Sequence, residues 1–78
     1  MKLIALNLPR DIDEQELEKL FKVHGNVTAC NLVIDDKNGA SKGFGFIEME
    51  LEQEAMTAIE KLHGTKVNKS RIRVKPAT

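Results

Sequence analysis

Four stretches of the sequence carry the hydrophobic and polar patterns of β-strands. Residues 2–8 (KLIALNL) form a short apolar run that is closed by Pro9. Residues 27–34 (VTACNLVI) and 43–49 (GFGFIEM) predict two further strands, and the second of these alternates with period two. Residues 71–75 (RIRVK) alternate basic and apolar side chains before Pro76, which predicts a fourth strand.

Two segments between these strands have the apolar spacing of helices. The first begins at Asp13, a favourable N-cap, and Glu16 three residues later completes a capping box. Its apolar stripe consists of Leu17, Leu20 and Phe21. Gly25 is the expected left-handed cap at its end. The second helix is predicted from about Glu52 to His63, is ended by Gly64, and has an apolar face formed by Ala55, Ala58, Ile59 and Leu62.

The order β-α-β-β-α-β predicts an α+β fold, the ferredoxin-like sandwich. Its four strands form one antiparallel sheet, both helices pack on one face of that sheet, and the other face stays open. The 78 residues suffice for one small domain, and the sequence has no repeat or linker that would divide them. We therefore expect a single domain over residues 1–78.

Alternation along each strand assigns its side chains to the two faces of the sheet. The residues of the second and third strands that are predicted to face the helices are Cys30, Leu32, Ile34, Gly45, Ile47 and Met49. The residues predicted on the open face are Ile4, Leu6, Asn31, Val33, Phe44, Phe46, Glu48, Arg71, Arg73 and Lys75. In the alternative, the sheet is covered on both sides and the two phenylalanines belong to the core.

The distribution of charged residues along the sequence is more informative than the net charge. The formal net charge is zero, which argues against a protein that coats nucleic acid by electrostatics alone. Residues 66–75 contain five cations and no acid, whereas residues 11–18 and 48–60 each contain five acids and no cation. This segregation predicts one basic and one acidic surface.

The open face combines aromatic rings, aliphatic side chains and a basic edge. A soluble monomer rarely exposes such a patch without using it. Unpaired bases stack on aromatic rings while cations neutralise phosphates, so the pattern indicates a surface for single-stranded nucleic acid.

Two segments resemble the RNA-recognition-motif family. Lys42-Gly43-Phe44-Gly45-Phe46-Ile47-Glu48-Met49 matches the family octapeptide [KR]-G-[FY]-[GA]-[FY]-V-x-[FY] except for the final residue and a Val-to-Ile exchange. Leu3-Ile4-Ala5-Leu6-Asn7-Leu8 is similar to the family hexapeptide on the first strand. The resemblance covers nearly the whole chain, and the compact single domain with its brief tail resembles small single-domain members found in bacteria.

The resemblance implies a role for each residue of the octapeptide that reaches the open face. Phe46 would stack on a base, Phe44 would pack against sugars or a second base, and Lys42 would contact a phosphate. Met49 departs from the family pattern at a core position, where methionine fills space well. Ile4 replaces an aromatic on the binding face, and Leu6 is bulkier than usual. We therefore expect weaker binding than in a fully aromatic member, by about 1–3 kcal/mol.

The sequence thus predicts a non-catalytic module that binds single-stranded RNA, with single-stranded DNA as a second possible partner. Asn31 would supply hydrogen bonds, and the phosphate contacts would come from Lys42, Arg71, Arg73 and Lys75. The alternative is a protein-interaction module whose aliphatic edge consists of Ile4, Leu6 and Val33. The histidines, Cys30 and the acidic run from Glu48 form no metal-ligand or catalytic set, so no cofactor, metal or small-molecule substrate is expected.

The remaining composition bears on location and assembly. A single cysteine excludes an internal disulfide and fits a reducing compartment. The sequence has no run of about 18 apolar residues that could span a bilayer. We expect a cytoplasmic monomer that makes no membrane contact.

Overall fold

The order of elements follows the predicted one, with a small hairpin added before the last strand. The computed structural model describes residues 1–39 and 41–77, and only the backbone at residue 41. Within these residues the helices are α1 (Glu14–Lys22) and α2 (Glu52–Leu62). The strands are β1 (Lys2–Leu6), β2 (Val27–Ile34), β3 (Ser41–Met49), β4 (Lys66–Val67), β5 (Ser70–Arg71) and β6 (Arg73–Pro76).

Four of the strands form one antiparallel sheet in the order β2-β3-β1-β6. The two strands that carry the octapeptide and the hexapeptide, β3 and β1, are therefore its centre. Strands β4 and β5 form a separate two-stranded sheet. This arrangement confirms the predicted ferredoxin-like fold.

The core lies between the large sheet and the two helices. The sheet contributes side chains that are almost completely buried, namely Leu3, Ala5, Ile47, Met49 and Val74, and Ile72, directly before β6, is buried with them. The helices contribute Leu17, Phe21, Ala55, Ala58 and Leu62. Met49 is fully buried, as its alternation with Glu48 predicts. In a domain of this size each of these side chains carries a large share of the apolar burial.

Helix α1 starts as predicted but ends differently. The carboxylate Oδ1 of Asp13 accepts a 2.8 Å hydrogen bond from the backbone N–H of Glu16. The prediction of a left-handed cap at Gly25 is wrong, because Gly25 lies outside the left-handed region. A Cβ atom at Gly25 would instead lie 2.6 Å from Cβ of Glu54, so the glycine lets the loop after α1 approach α2 closely.

The fourth predicted strand is shorter than its alternation suggests. The backbone N–H of Ile72 donates to the carbonyl of Thr65 (2.9 Å), and the carbonyl of Ile72 accepts from Gly64 (2.8 Å). These bonds draw Ile72 toward the end of α2 and leave Arg71 in the β4–β5 hairpin. Asn68 and Lys69 both adopt positive φ angles, 46° and 76°, which is the backbone of a type I′ hairpin turn.

Strand β2 is irregular at its end. Its pairing with β3 shifts register between Leu32 and Ile34. Ile34 lies on the helical side of the sheet, as predicted, but it is 49% exposed and does not belong to the core. It borders a cavity on the helical side together with Ile12 and Glu14. A bulge of this kind redirects the side chains that follow it.

Side chains engage the backbone at both outer strands of the sheet. On β2, the backbone N–H of Leu32 donates to Oε2 of Glu14 at 3.0 Å. On β6, the backbone N–H of Val74 donates to Nδ1 of His63, also at 3.0 Å. A free strand edge is a template for pairing with another chain. Both edges are therefore partly closed to strand addition, which leaves the open face as the accessible surface of the sheet.

Candidate nucleic-acid interface

The open face is built from cross-strand pairs that form rows across the sheet. In the central row, Asn31 pairs with Phe46, Phe46 with Ile4, and Ile4 with Lys75. An aromatic ring thus lies between an amide side chain on β2 and an aliphatic side chain on β1, with a cation at the outer strand. Directly paired side chains on one face of a sheet lie within contact distance of their neighbours.

Two further rows flank the central row. On one side Lys2 pairs with Glu48. On the other side Leu6 pairs with Arg73, and Phe44 borders the same cavity as both of them. The predicted site residues Phe44, Phe46, Ile4, Leu6, Asn31, Arg73 and Lys75 therefore share one surface.

The two phenylalanines are half-buried and do not belong to the core cluster. Their ring centroids are 6.1 Å apart with an interplanar angle of 86°, an edge-to-face pair. A Cβ atom on Gly45, between them in the sequence, would lie 2.9 Å from Cδ2 of Leu17 in α1. The helices therefore pack on the opposite face, and the alternative of a two-sided sheet is wrong.

Lys2 is a contact of Phe46 that the sequence analysis did not include. Its Nζ atom lies 5.2 Å from the centroid of the Phe46 ring, which is cation–π distance. Alternation with the buried Leu3 already places Lys2 on the same face as Ile4. The position of Lys2 opposite Glu48 could not be known before the register of β1 and β3 was established.

The end of the open face next to Phe44 is a cavity of about 460 Å³ with a basic rim. Its cationic side chains are Arg10, Lys42 and Arg73, and its apolar wall includes Leu6 and Phe44. Arg10, in the loop after β1, is the second contributor that the sequence analysis missed. The only signal for it was a basic residue directly after Pro9.

Glycine 43 brings this loop close to β3. Gly43 has a φ of +86°, and its carbonyl accepts a 2.8 Å hydrogen bond from the backbone N–H of Leu8. A Cβ atom there would lie 3.3 Å from Nε of Arg10. The octapeptide glycine therefore allows the Arg10 guanidinium to lie close to β3, at the rim of the cavity that Lys42 also borders.

Two predicted site residues are placed differently from the rest. The guanidinium of Arg71 donates to the carbonyl of Gly64 at 3.4 Å. The backbone carbonyl of Arg71 accepts a 2.8 Å hydrogen bond from the side-chain amide of Asn7. The structure therefore does not bring Arg71 into the rows formed by Arg73 and Lys75. Val33 is half-buried and lies at the register shift of β2, beyond the central row.

Cys30 lies on the helical side of β2. Burial, together with the negative charges of Glu14 and Glu18, raises the pKa of its thiol from 9.0 to about 11. Its thiol lies 3.8 Å from the carbonyl oxygen of Glu14. A thiol with this pKa is protonated at neutral pH and is a poor nucleophile. The prediction that Cys30 faces the helices agrees with this environment.

Residues 1–39 and 41–77 also bear on metal binding and on membrane insertion. No group of three or more histidine, cysteine or acidic residues is arranged to hold a metal ion there. Neither helix in this part of the chain has the length and apolar character needed to cross a membrane.

Comparison with known proteins gives a family match and close relatives. The model of the RNA recognition motif family matches residues 6–73. The chain is 42% identical over 71 residues to a chloroplastic 28 kDa ribonucleoprotein of Nicotiana sylvestris, which covers 91% of this chain and 26% of that protein. It is 39% identical over 72 residues to a Sex-lethal homolog of Megaselia scalaris, with 92% of this chain and 22% of that protein covered. The chain thus spans about a quarter of these relatives.

Solved structures agree in fold. A Sxl-lethal protein/RNA complex superposes with a TM-score of 0.94 at 34% identity, over 99% of this chain and 46% of that chain. The RNA-binding protein PG1 superposes with a TM-score of 0.95 at 36% identity, over 99% of this chain and 93% of that chain.

Proposed function

Since the chain belongs to the RNA recognition motif family, we propose that it binds single-stranded RNA across the open face of its sheet. The observation that carries this proposal is the central row, in which Phe46 lies between Asn31 and Ile4 and is followed by Lys75. The similarity to a protein that was solved in complex with RNA supports it.

The arrangement assigns a task to each kind of side chain. A base stacks on the half-buried ring of Phe46, and Phe44 packs against the neighbouring sugar or base. Lys42 and Arg73, at the rim of the cavity, and Lys75, on the outer strand, neutralise phosphates. Asn31 lies directly opposite Phe46 and offers both a donor and an acceptor to the edge of the stacked base. Single-stranded DNA presents similar bases and the same phosphates, and it is included in the proposal.

The affinity for RNA depends on how many aromatic rings of the open face can stack on bases. Stacking contributes about 1–3 kcal/mol per base, and Ile4 provides an aliphatic surface where the family motif has a second aromatic. We expect a dissociation constant on the order of micromolar at moderate salt.

The family recognises RNA rather than catalysing a reaction, which confirms the prediction that this chain is not an enzyme. The relatives named above are chloroplast ribonucleoproteins and a Sex-lethal homolog, so they do not support the predicted likeness to small single-domain bacterial members. Cytoplasmic location and a monomeric state stay predictions, based on the single cysteine and the small size of the chain.

A titration of the labelled protein with short single-stranded RNAs, followed by amide chemical shifts, tests the proposal. We expect the amides of Asn31, Phe44 and Phe46 to move, while those of Val23, directly after α1, and Met56, on α2, stay in place. If no amide on the open face changes its chemical shift with any RNA in a panel of sequences, the proposal is wrong. That result would favour the alternative, a protein-interaction module that uses the surface of Ile4, Leu6 and Val33.

A further inference from the structure

Lys2 and Glu48 form a pair of opposite charges beside the stacking ring. They are direct cross-strand partners, and both side chains are exposed. Glu48 follows Phe46 by two residues on β3, and both alternate with the buried Ile47, so Glu48 lies on the same face as the ring. Nζ of Lys2 lies 5.2 Å from the centroid of Phe46. A charged hydrogen-bond donor, Lys2, and a charged acceptor, Glu48, therefore lie beside the Phe46 ring.

The edge of a base that stacks on Phe46 would lie next to Lys2 and Glu48. The ammonium lies over the ring in the free protein, so an incoming base displaces it from the ring face toward the base perimeter. Lys2 then offers N–H donors to that perimeter, and Glu48 offers two carboxylate oxygens beside them. Proteins read unstacked RNA bases by hydrogen bonds to such edges.

We propose that Lys2 and Glu48 make the Phe46 position selective for guanine. This inference rests on the proposed function, because it requires a base on Phe46. Guanine presents the O6 acceptor next to two adjacent donors, N1–H and the N2 amino group. Its two donors match the two oxygens of one carboxylate, a bidentate contact of the kind that makes charged hydrogen bonds strong and specific. Its O6 atom at the same time accepts from the lysine.

Uracil, adenine and cytosine form fewer hydrogen bonds with Lys2 and Glu48 than guanine does. Uracil has a single N3–H between two carbonyl oxygens, so the second carboxylate oxygen faces an acceptor. Adenine and cytosine each place one amino group beside a ring nitrogen that accepts, so the carboxylate again receives one bond. A good bidentate contact discriminates against a wrong base by about 1–3 kcal/mol, which corresponds to about 5- to 150-fold in affinity.

The experiment uses five-nucleotide RNAs of uridine whose central base is guanine, adenine, cytosine, uracil or hypoxanthine. We expect the guanine oligonucleotide to bind about 5- to 150-fold more tightly than the uridine one. Hypoxanthine keeps O6 and N1–H but lacks the amino group, so it should fall between the two. E48Q removes the charge and the second acceptor, so it should bring the affinity for the guanine oligonucleotide close to that for the uridine one.

Matched variants separate this effect from a general change in charge. E52Q makes the same chemical change at an exposed position at the start of α2, and it should leave the preference for guanine intact. K2M keeps an unbranched side chain without the ammonium and should reduce the preference for guanine. Because Lys2 and Glu48 are exposed, all three variants should keep the unfolding midpoint of the parent.

The results distinguish a failure of the guanine selectivity from a failure of RNA binding on Phe46. If the parent binds all five oligonucleotides equally, or E48Q keeps the preference for guanine, the assignment of Lys2 and Glu48 is wrong. RNA binding that still depends on Phe46 would then leave the proposed function standing. If no oligonucleotide binds, or F46A binds as tightly as the parent, the proposed function fails and this inference fails with it.

Discussion

Ile4 and Phe46 face each other directly across β1 and β3 at the centre of the open face. Both side chains are half-buried, and both lie between the cation Lys75 on one outer strand and Asn31 on the other. The register therefore places an aliphatic side chain where a second ring would continue the stacking surface. The affinity for RNA should respond to a change at either of the two positions.

Replacement of Ile4 by phenylalanine should strengthen binding. A ring at this position adds a second stacking surface beside Phe46, which contributes about 1–3 kcal/mol per base, or about 5- to 150-fold in the dissociation constant. Fluorescence anisotropy with a labelled oligonucleotide measures the change. V23F, at a side chain that is 79% exposed at the end of α1, serves as the control and should have no effect. Equal affinities of parent and I4F would show that no base lies over β1.

Truncation of Phe46 to alanine should weaken binding by about 1–3 kcal/mol. The ring is half-buried and lies outside the core cluster, so the domain should still fold cooperatively. Titration calorimetry gives the affinity, and urea denaturation of the same sample shows whether the fold is retained. A folded F46A protein with the affinity of the parent would rule out stacking on this ring.

The salt dependence of binding should distinguish the basic residues from one another. Each phosphate contact on a single strand contributes about −0.7 to the slope of log affinity against log salt concentration. R73A should reduce the steepness of this slope by about that amount, because Arg73 borders the cavity beside Phe44. R71A should change it less, because the Arg71 guanidinium donates to the carbonyl of Gly64. Equal changes in both variants would contradict this placement of Arg71.

The parts of the fold that were predictable depend on local patterns. The alternation around Phe46 assigned the faces of β3 correctly, and Asp13 marked the start of α1 because capping involves only neighbouring residues. The errors came from contacts between distant residues. Gly25 is required by Glu54 on the other helix, and Ile72 leaves the strand pattern because its backbone bonds to Thr65.

The same distinction holds for the site. The residues of the central row followed from alternation and from the family motif. The contributions of Lys2 and Arg10 did not, since they depend on the register of β1 against β3 and on the loop that Gly43 brings close. Sequence patterns identify the face, and long-range pairing determines which charges surround each ring.

Alkylation of Cys30 should require alkaline pH in the folded protein. Its pKa is raised from the ordinary value of 9.0 to about 11, so the reactive thiolate forms about two pH units later than in the unfolded chain. Rates of reaction with iodoacetamide against pH, with and without urea, measure both midpoints. The folded state keeps the proton that the unfolded state releases, so this group also lowers stability as the pH rises from 9 to 11. A midpoint near 9 without urea would contradict the buried environment.

Replacement of Gly45 by alanine should destabilise the domain, although the backbone alone predicts the opposite. Gly45 lies outside the left-handed region, and at such a position alanine usually stabilises a protein by about 0.4–1 kcal/mol, because it restricts the unfolded chain. The added Cβ atom, however, would lie 2.8 Å from the backbone oxygen of Asn31 and 2.9 Å from Cδ2 of Leu17.

The carbonyl of Asn31 is held in the pairing of β2 with β3, so it cannot rotate away as a side chain could. The strand or helix α1 must shift, which costs about 1–3 kcal/mol in a packed core. Urea denaturation of G45A measures the balance through the unfolding midpoint. A midpoint equal to or above that of the parent would show that the sheet and α1 can separate at this point without loss. A lower one would show that the glycine between the two stacking rings is required for packing against the helix.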